Sequence, residues 1–215
     1  MTFEINRLIV TDLSENCYIL NDANNDAIVV DPGGEVDRIL QFVEQHRLKV
    51  GLILNTHGHA DHICAARAVK KATGAQVAIH PDDAPMMASA LLCGAQWLEM
   101  DFEPMEPDFM LEHGKSVSFG SIELEVRHTP GHSPGSCIFI DHEGANIFTG
   151  DLIFRGAVGR WDLPGGDGSI LKRSLHDQIL TLPHNYRIHP GHGDITTVGD
   201  EARSNPFLQS DVPWQ

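Results

Sequence analysis

The chain has 215 residues, a length that suits one large α/β domain or two small ones, and 41% hydrophobic with 21% charged residues is ordinary for a globular protein. Thirty acidic residues against 15 basic ones leave a formal charge of -15, which argues against a nucleic-acid groove or an anionic membrane surface, since both need basic patches. A small anionic substrate remains open, because local arginines or lysines can still build a pocket.

The first five residues show no basic region followed by an apolar run, so no signal peptide is expected, and no apolar run approaches membrane-spanning length. Cys17, Cys64, Cys93 and Cys137 are scattered without a C-x-x-C pair, which predicts a reduced, cytoplasmic setting. Residues 3–10 and 17–20 read as short strands joined by a polar turn, and residues 27–30 as a third. Asp31-Pro32-Gly33-Gly34 ends that strand. Val36, Ile39, Leu40 and Val43 then recur at helical spacing. Gly51-Leu52-Ile53-Leu54 looks like a buried strand, and the chain turns helical from Asp61. Ala65, Ala66, Val69 and Ala72 form the next stripe, with Gly74 where a helix C-cap belongs. Residues 76–79 predict a strand, and residues 81–112 a helix followed by an irregular loop. Ile122, Leu124 and Val126 alternate with Glu123, Glu125 and Arg127, the signature of a half-buried strand. Residues 136–140 and 146–149 follow as strands. Ile170, Leu171, Leu175 and Ile179 mark a helix, and residues 186–189 a last strand. Runs of strands between three or four helices predict an α/β protein with helices outside the sheet, in one domain over residues 1–215.

Thirteen histidines are a heavy load, and the excess clusters. Thr56-His57-Gly58-His59-Ala60-Asp61-His62 sets three imidazoles and a carboxylate on one strand-to-helix turn, the ligand types of zinc, iron or manganese. In an extended segment His57 and His59 point the same way, whereas the adjacent Asp61 and His62 can diverge toward a second position. One ion would not comfortably use all four side chains; two would. His132, Asp151 and His192 stand in the same context elsewhere: an apolar strand stops, glycine appears, and a ligand-type side chain lies beside it. Thr129-Pro130-Gly131-His132 is echoed by His189-Pro190-Gly191-His192. Taken singly, a histidine beside glycine is usually a surface residue and Asp151 a turn or cap residue. Together with the His57–His62 run, the seven suffice for two ions, with Asp151 shared. Asp31 reads as a cap or an orienting residue behind the ligands. His46, His80, His113, His128, His142, His176, His184 and His189 read as structural or surface residues.

H-x-H-x-D-H, then P-G-H, then T-G-D, then P-G-H-G, in that order, resembles the metallo-β-lactamase superfamily over residues 3–208. The resemblance implies an αββα sandwich of two mixed sheets flanked by helices, with the site on the sheet edges. It implies that His57, His59 and His132 hold the first metal, that Asp61, His62 and His192 hold the second, and that Asp151 bridges. Within that superfamily the chain is most similar to the glyoxalase II thioesterases, in Asp151 and in the ending Gly199-Asp200-Glu201-Ala202-Arg203-Ser204-Asn205-Pro206-Phe207. No separate C-terminal helical domain for the substrate is expected, a departure from that group. The chain also has Arg160 and Asp162 where that group has a lysine and a tyrosine. Arg160 can still bind a glycine carboxylate; Asp162 cannot replace a tyrosine donor. The segment Gly159-Arg160-Trp161-Asp162-Leu163-Pro164-Gly165-Gly166 is similar to short, single-domain bacterial proteins of the glyoxalase II type.

The expected activity is hydrolysis of S-D-lactoylglutathione or a related hydroxyacylglutathione to glutathione and a 2-hydroxy acid. Zinc is expected, up to two ions, with iron or manganese possible. Two divalent ions about 3.5–4 Å apart lower the pKa of a shared water toward neutrality, which supplies the hydroxide nucleophile. Asp61 and Asp151 are the expected catalytic carboxylates and Arg160 the expected substrate-binding residue, in a monomer or small homo-oligomer. The alternatives are an iron-dependent persulfide dioxygenase, another ester or lactone hydrolase of the same fold, or a non-catalytic binding module.

Overall fold

The computed structural model describes residues 3–209. The first sheet takes its strands in chain order: β1 (Glu4–Val10), β2 (Glu15–Asn21), β3 (Asp26–Val30), β4 (Lys49–Leu54), β5 (Gln76–Ile79) and β6 (Phe109–Met110). The second is built from β7 (Ser116–Phe119), β8 (Ile122–His128), β9 (Cys137–Asp141), β10 (Asn146–Gly150), β13 (Arg187–Pro190) and β14 (Thr196–Thr197), in the spatial order β14-β13-β10-β9-β8-β7. A small hairpin of β11 (Ile153–Phe154) and β12 (Ala157–Val158) follows β10.

The period-2 pattern of the strands explains the layering. Tyr18, Leu20, Ile28, Val30, Leu52 and Leu54 point inward into one cluster with Leu124, Val126, Phe139 and Phe148 of the opposite sheet. The alternate residues Cys17, Ile19, Val29 and Ile53 face outward and are covered by Ile39 and Val43 of α1 (Val36–Gln45) and Val69 of α3 (Ala66–Thr73). On the far side, Ile138, Ile140, Ile147 and Ile188 are covered by Leu171 of α5 (Gly168–Ser174) and by Leu175 and Ile179 of the π-helical turn that continues it. Strands clothed on both faces read as apolar runs, and every residue of β2 is buried. The result is an αββα sandwich of two mixed sheets.

Strand direction decides where the functional residues emerge. β3, β4 and β5 are parallel, so Asp31, residues 55–62 and His80 all leave from one edge. β8 and β10 are both antiparallel to β9, and β13 is parallel to β10; the segments carrying His132, Asp151 and His192 therefore also share an edge.

Several expectations need refinement. In residues 81–112 the helix is a single turn, α4 (Ala84–Met87), followed by turns and then β6. The helix from Asp61 is also short, α2 (Ala60–Ile63), and α3 starts afresh at Ala66. Gly74 does cap α3 in the left-handed conformation, φ 78°. The helix over residues 170–179 starts earlier, at Gly168, because the Asp167 carboxylate accepts the Ile170 N–H and caps it.

Candidate metal centre

All seven ligand-type side chains expected from the sequence come together at the shared edge of the two sheets. His57 Nε2 lies 3.2 Å from His132 Nε2, which lies 2.8 Å from His59 Nδ1. Ligand nitrogens about 2.0–2.1 Å from a tetrahedral metal sit about 3.3 Å from one another, so this spacing fits three donors around one ion. Beside them, Asp61 Oδ2 is 3.2 Å from His192 Nε2 and 3.7 Å from His62 Nε2. Asp151 stands between the groups. Its Oδ1 is 3.4 Å from His62 Nε2, and its Oδ2 is 3.6 Å from His132 Nε2 and 3.7 Å from His192 Nε2. His62 Nε2 and Asp151 Oδ1 are buried without a hydrogen-bond partner among the described residues. Buried polar atoms left this way are costly, and a cation between them removes the cost. The residues fit a metal.

The other nitrogen of four of these rings is tied down, which fixes tautomer and orientation. His57 Nδ1 is 3.1 Å from Thr56 Oγ1, which itself donates to Asp31 Oδ2. His62 Nδ1 is 3.1 Å from Asp31 Oδ2, His132 Nδ1 2.7 Å from the Arg160 carbonyl, and His192 Nδ1 3.1 Å from the Leu13 carbonyl. Asp31 thus orients two ligands, and it does so from a left-handed backbone at φ 52°, an uncommon conformation that aspartate tolerates.

Two buried carboxylates were invisible in the sequence. Asp83 accepts from Gly58 N at 2.9 Å, Ser133 Oγ at 2.6 Å and Gly135 N at 2.6 Å. It joins the His57 turn to the His132 loop, two segments with no sequence relation to it. Glu15 is buried behind His62, its Oε1 3.8 Å from Nδ1, and neither oxygen has a hydrogen-bond partner among the described residues. Burial pushes its carboxyl well above the usual range. The one available signal was a glutamate two residues ahead of the apolar run Cys17-Tyr18-Ile19-Leu20. Of the histidines set aside, His80 and His128 stack 3.9 Å apart with planes 10° from parallel, beside Asp82; parallel rings aim their lone pairs side by side, not at one point.

The two clusters differ electrostatically. Burial and the neighbouring imidazoles hold His57 well below its ordinary pKa, and burial with His132 pushes His59 down to about 3. Both are neutral at pH 7, as metal ligands must be. At His62 burial also acts downward, but Asp151 and Asp61 outweigh it and raise the pKa; at His192 the Asp61 hydrogen bond and Asp151 do the same. Burial opposes charge on Asp61 and Asp151, yet His62 above all holds both carboxyls below the usual range. The second cluster therefore calls for positive charge, which a divalent ion supplies.

A cavity of about 640 Å³ opens over the centre, lined by His59, Asp61, His132, Asp151 and His192 and walled by apolar residues. Arg160 is on its rim. Its Nε and Nη2 donate to Asp162 at 2.9 and 3.0 Å, and its side chain is largely exposed.

The metallo-beta-lactamase superfamily profile matches residues 10–192. The chain belongs to the metallo-beta-lactamase superfamily. Over 203 residues it is 36% identical to hydroxyacylglutathione hydrolase GloC of Haemophilus influenzae, covering 94% of this chain and 96% of that one. It is 32% identical over 197 residues to the mitochondrial persulfide dioxygenase ETHE1 of Bos taurus, covering 89% of this chain and 70% of that one. Among solved structures, the BLEG-1 B3 metallo-beta-lactamase superposes with a TM-score of 0.93 at 33% identity, covering 96% of this chain and all of that one. TTHA1623 in a di-iron-bound form superposes at 0.86 with 41% identity, covering 94% and 100%. Metallo-beta-lactamase proteins bind one or two metal ions, and the chain is a metallo-hydrolase of this superfamily.

Proposed function

We propose that the chain is a thioesterase that hydrolyses S-D-lactoylglutathione or a related hydroxyacylglutathione to glutathione and a 2-hydroxy acid. The observation that carries this reading is Asp151, whose two oxygens lie within 3.7 Å of ligands from both clusters, the arrangement a two-ion hydrolase needs. The similarity to a hydroxyacylglutathione hydrolase over nearly the whole chain supports the choice of substrate. In this reading His57, His59 and His132 would hold one ion and Asp61, His62 and His192 the other, with Asp151 available to both; zinc is the expected metal. Two divalent ions so held would polarise the thioester carbonyl and bring the pKa of a bound water near neutrality. Asp61, kept ionised by His62 and His192, orients that water as a hydrogen-bond acceptor. With the water's proton passed to solvent, its oxygen would bond to the acyl carbon as the C–S bond breaks, giving the free acid, which ionises to solvent, and a thiolate that needs no proton from the protein. Arg160 receives the glycine carboxylate of the thiol.

The similarity to a persulfide dioxygenase favours a second reading, oxidation of glutathione persulfide at a single iron. Elemental analysis of the isolated protein, joined to kinetics on lactoylglutathione and to oxygen uptake with glutathione persulfide, separates the two. Thioester turnover with about two ions per chain is the expected result; rapid oxygen consumption with one iron overturns it.

A further inference from the structure

We propose that this site selects its substrate through an apolar acyl chain, so that thioesters of unsubstituted medium-length acyl groups are better substrates than the lactoyl thioester. The proposal rests on the thioesterase reading above.

The wall of the cavity carries it. Among the described residues nine large hydrophobic side chains are exposed, and five of them, Leu13, Leu91, Leu92, Trp97 and Leu98, line this one cavity. Trp97 is 73% exposed and Leu92 56%. Apolar surface gathered at one concave place, rather than scattered, marks a binding surface. The cavity volume falls within the roughly 300–1,000 Å³ of pockets that enclose a small organic molecule.

The wall is built to stay in place. The Cys93 carbonyl accepts the Ala60 N–H at 2.9 Å, between His59 and Asp61, and Cys93 and Ala95 are both buried. The segment is thereby fixed to the ligand turn, and its leucines and indole line the same cavity as the ligand side chains.

The charge balance points the same way. Among the described residues lining the cavity, Arg160 is the sole cationic side chain apart from the histidines, and Asp162 already engages it at two nitrogens. A glutathione thiol, with two carboxylates and an ammonium, finds one shared partner there. A lactoyl group, with two carbons beyond the carbonyl and a hydroxyl on the first, leaves most of the leucine and tryptophan wall uncovered. Each methylene laid against such a wall improves binding by up to about fourfold.

The test compares kcat/KM of the metal-loaded full chain for S-lactoyl-, S-butanoyl- and S-octanoylglutathione, three substrates sharing one thiol, and repeats the series with a Leu92→Ala/Trp97→Ala variant whose metal content and unfolding temperature are checked. The expected order is octanoyl over butanoyl over lactoyl, with octanoyl ahead of lactoyl by at least about tenfold and that ratio cut by about tenfold in the variant. Lactoyl turnover equal to or faster than octanoyl overturns the acyl preference and leaves the thioesterase reading standing. A ratio unmoved by the variant, together with a dimer that the variant dissociates, overturns it in favour of a second copy covering the wall. Failure on all three thioesters overturns both.

Discussion

Asp83→Ala probes how the first ligand cluster is assembled. The carboxylate is fully buried and accepts three hydrogen bonds that tie residue 58 to residues 133 and 135. Removing it leaves the Gly58 and Gly135 N–H groups without an acceptor, while Ser133 Oγ keeps Ser136 Oγ at 2.7 Å. Two orphaned buried donors cost about 1–3 kcal/mol each. Relief of the buried charge offsets part of that, so the expected loss of stability is about 2–4 kcal/mol. Urea unfolding of the chelator-treated protein measures it. The same variant lets His57 and His59 shift against His132, so affinity for the first ion should fall by about 10–100-fold, the usual effect of removing support behind a ligand. Metal-buffer titration reads that directly. Unchanged affinity with a stability loss below about 1 kcal/mol would refute the idea that Asp83 ties the two loops together.

Asp151→Ala should release the second ion and lower thioester turnover by more than about a hundredfold; near-normal turnover with two ions retained breaks the bridging assignment. A Cβ on Gly33 would sit 1.5 Å from the Asp61 carbonyl oxygen, a backbone clash that no rotamer relieves. Gly33→Ala should therefore push α2 outward and lower the metal content of the Asp61–His62–His192 cluster, as measured by elemental analysis. His189 is buried, and burial, with Arg187 and Arg7 nearby, pushes its pKa down to about 4. Its folded pKa is below the unfolded value of about 6.5, so folding favours the neutral ring. Its contribution is complete above pH 6.5 and is lost as pH falls through 4, a change of about 3 kcal/mol. Unfolding of the metal-free protein at pH 7 and pH 4 should show a smaller acid loss in His189→Gln; equal losses sink the assignment.

The candidate ligands could be read from the sequence because His132, Asp151 and His192 each sit beside a glycine at the end of an apolar strand, and the other four share one turn. What supports them could not. Asp83 and Glu15 reach the site from segments whose positions depend on the folded sandwich, and the carbonyls of Leu13 and Arg160 act through backbone atoms that carry no residue signature. Arg160 shows both sides of this: its guanidinium was legible as an anion partner, whereas its carbonyl, which holds His132, was not. The strands were legible wherever burial on both faces made long apolar runs. β11, β12 and β14 were missed because two residues are too few to show a period, β7 because Ser116-Val117-Ser118-Phe119 offers only two apolar positions, and residues 81–112 because turns, not a repeating face, organise them.

Each ligand cluster draws from both sheets: His57 and His59 meet His132, and Asp61 and His62 meet Asp151 and His192. Ions seated there would act as rivets across the seam of the sandwich. Bond lengths to metal vary by only a few tenths of an ångström, so sliding one half past the other is resisted while they are in place. Adjustment to different substrates is left to the loops above the seam, and stripping the ions should loosen the joint between the halves before it melts either one.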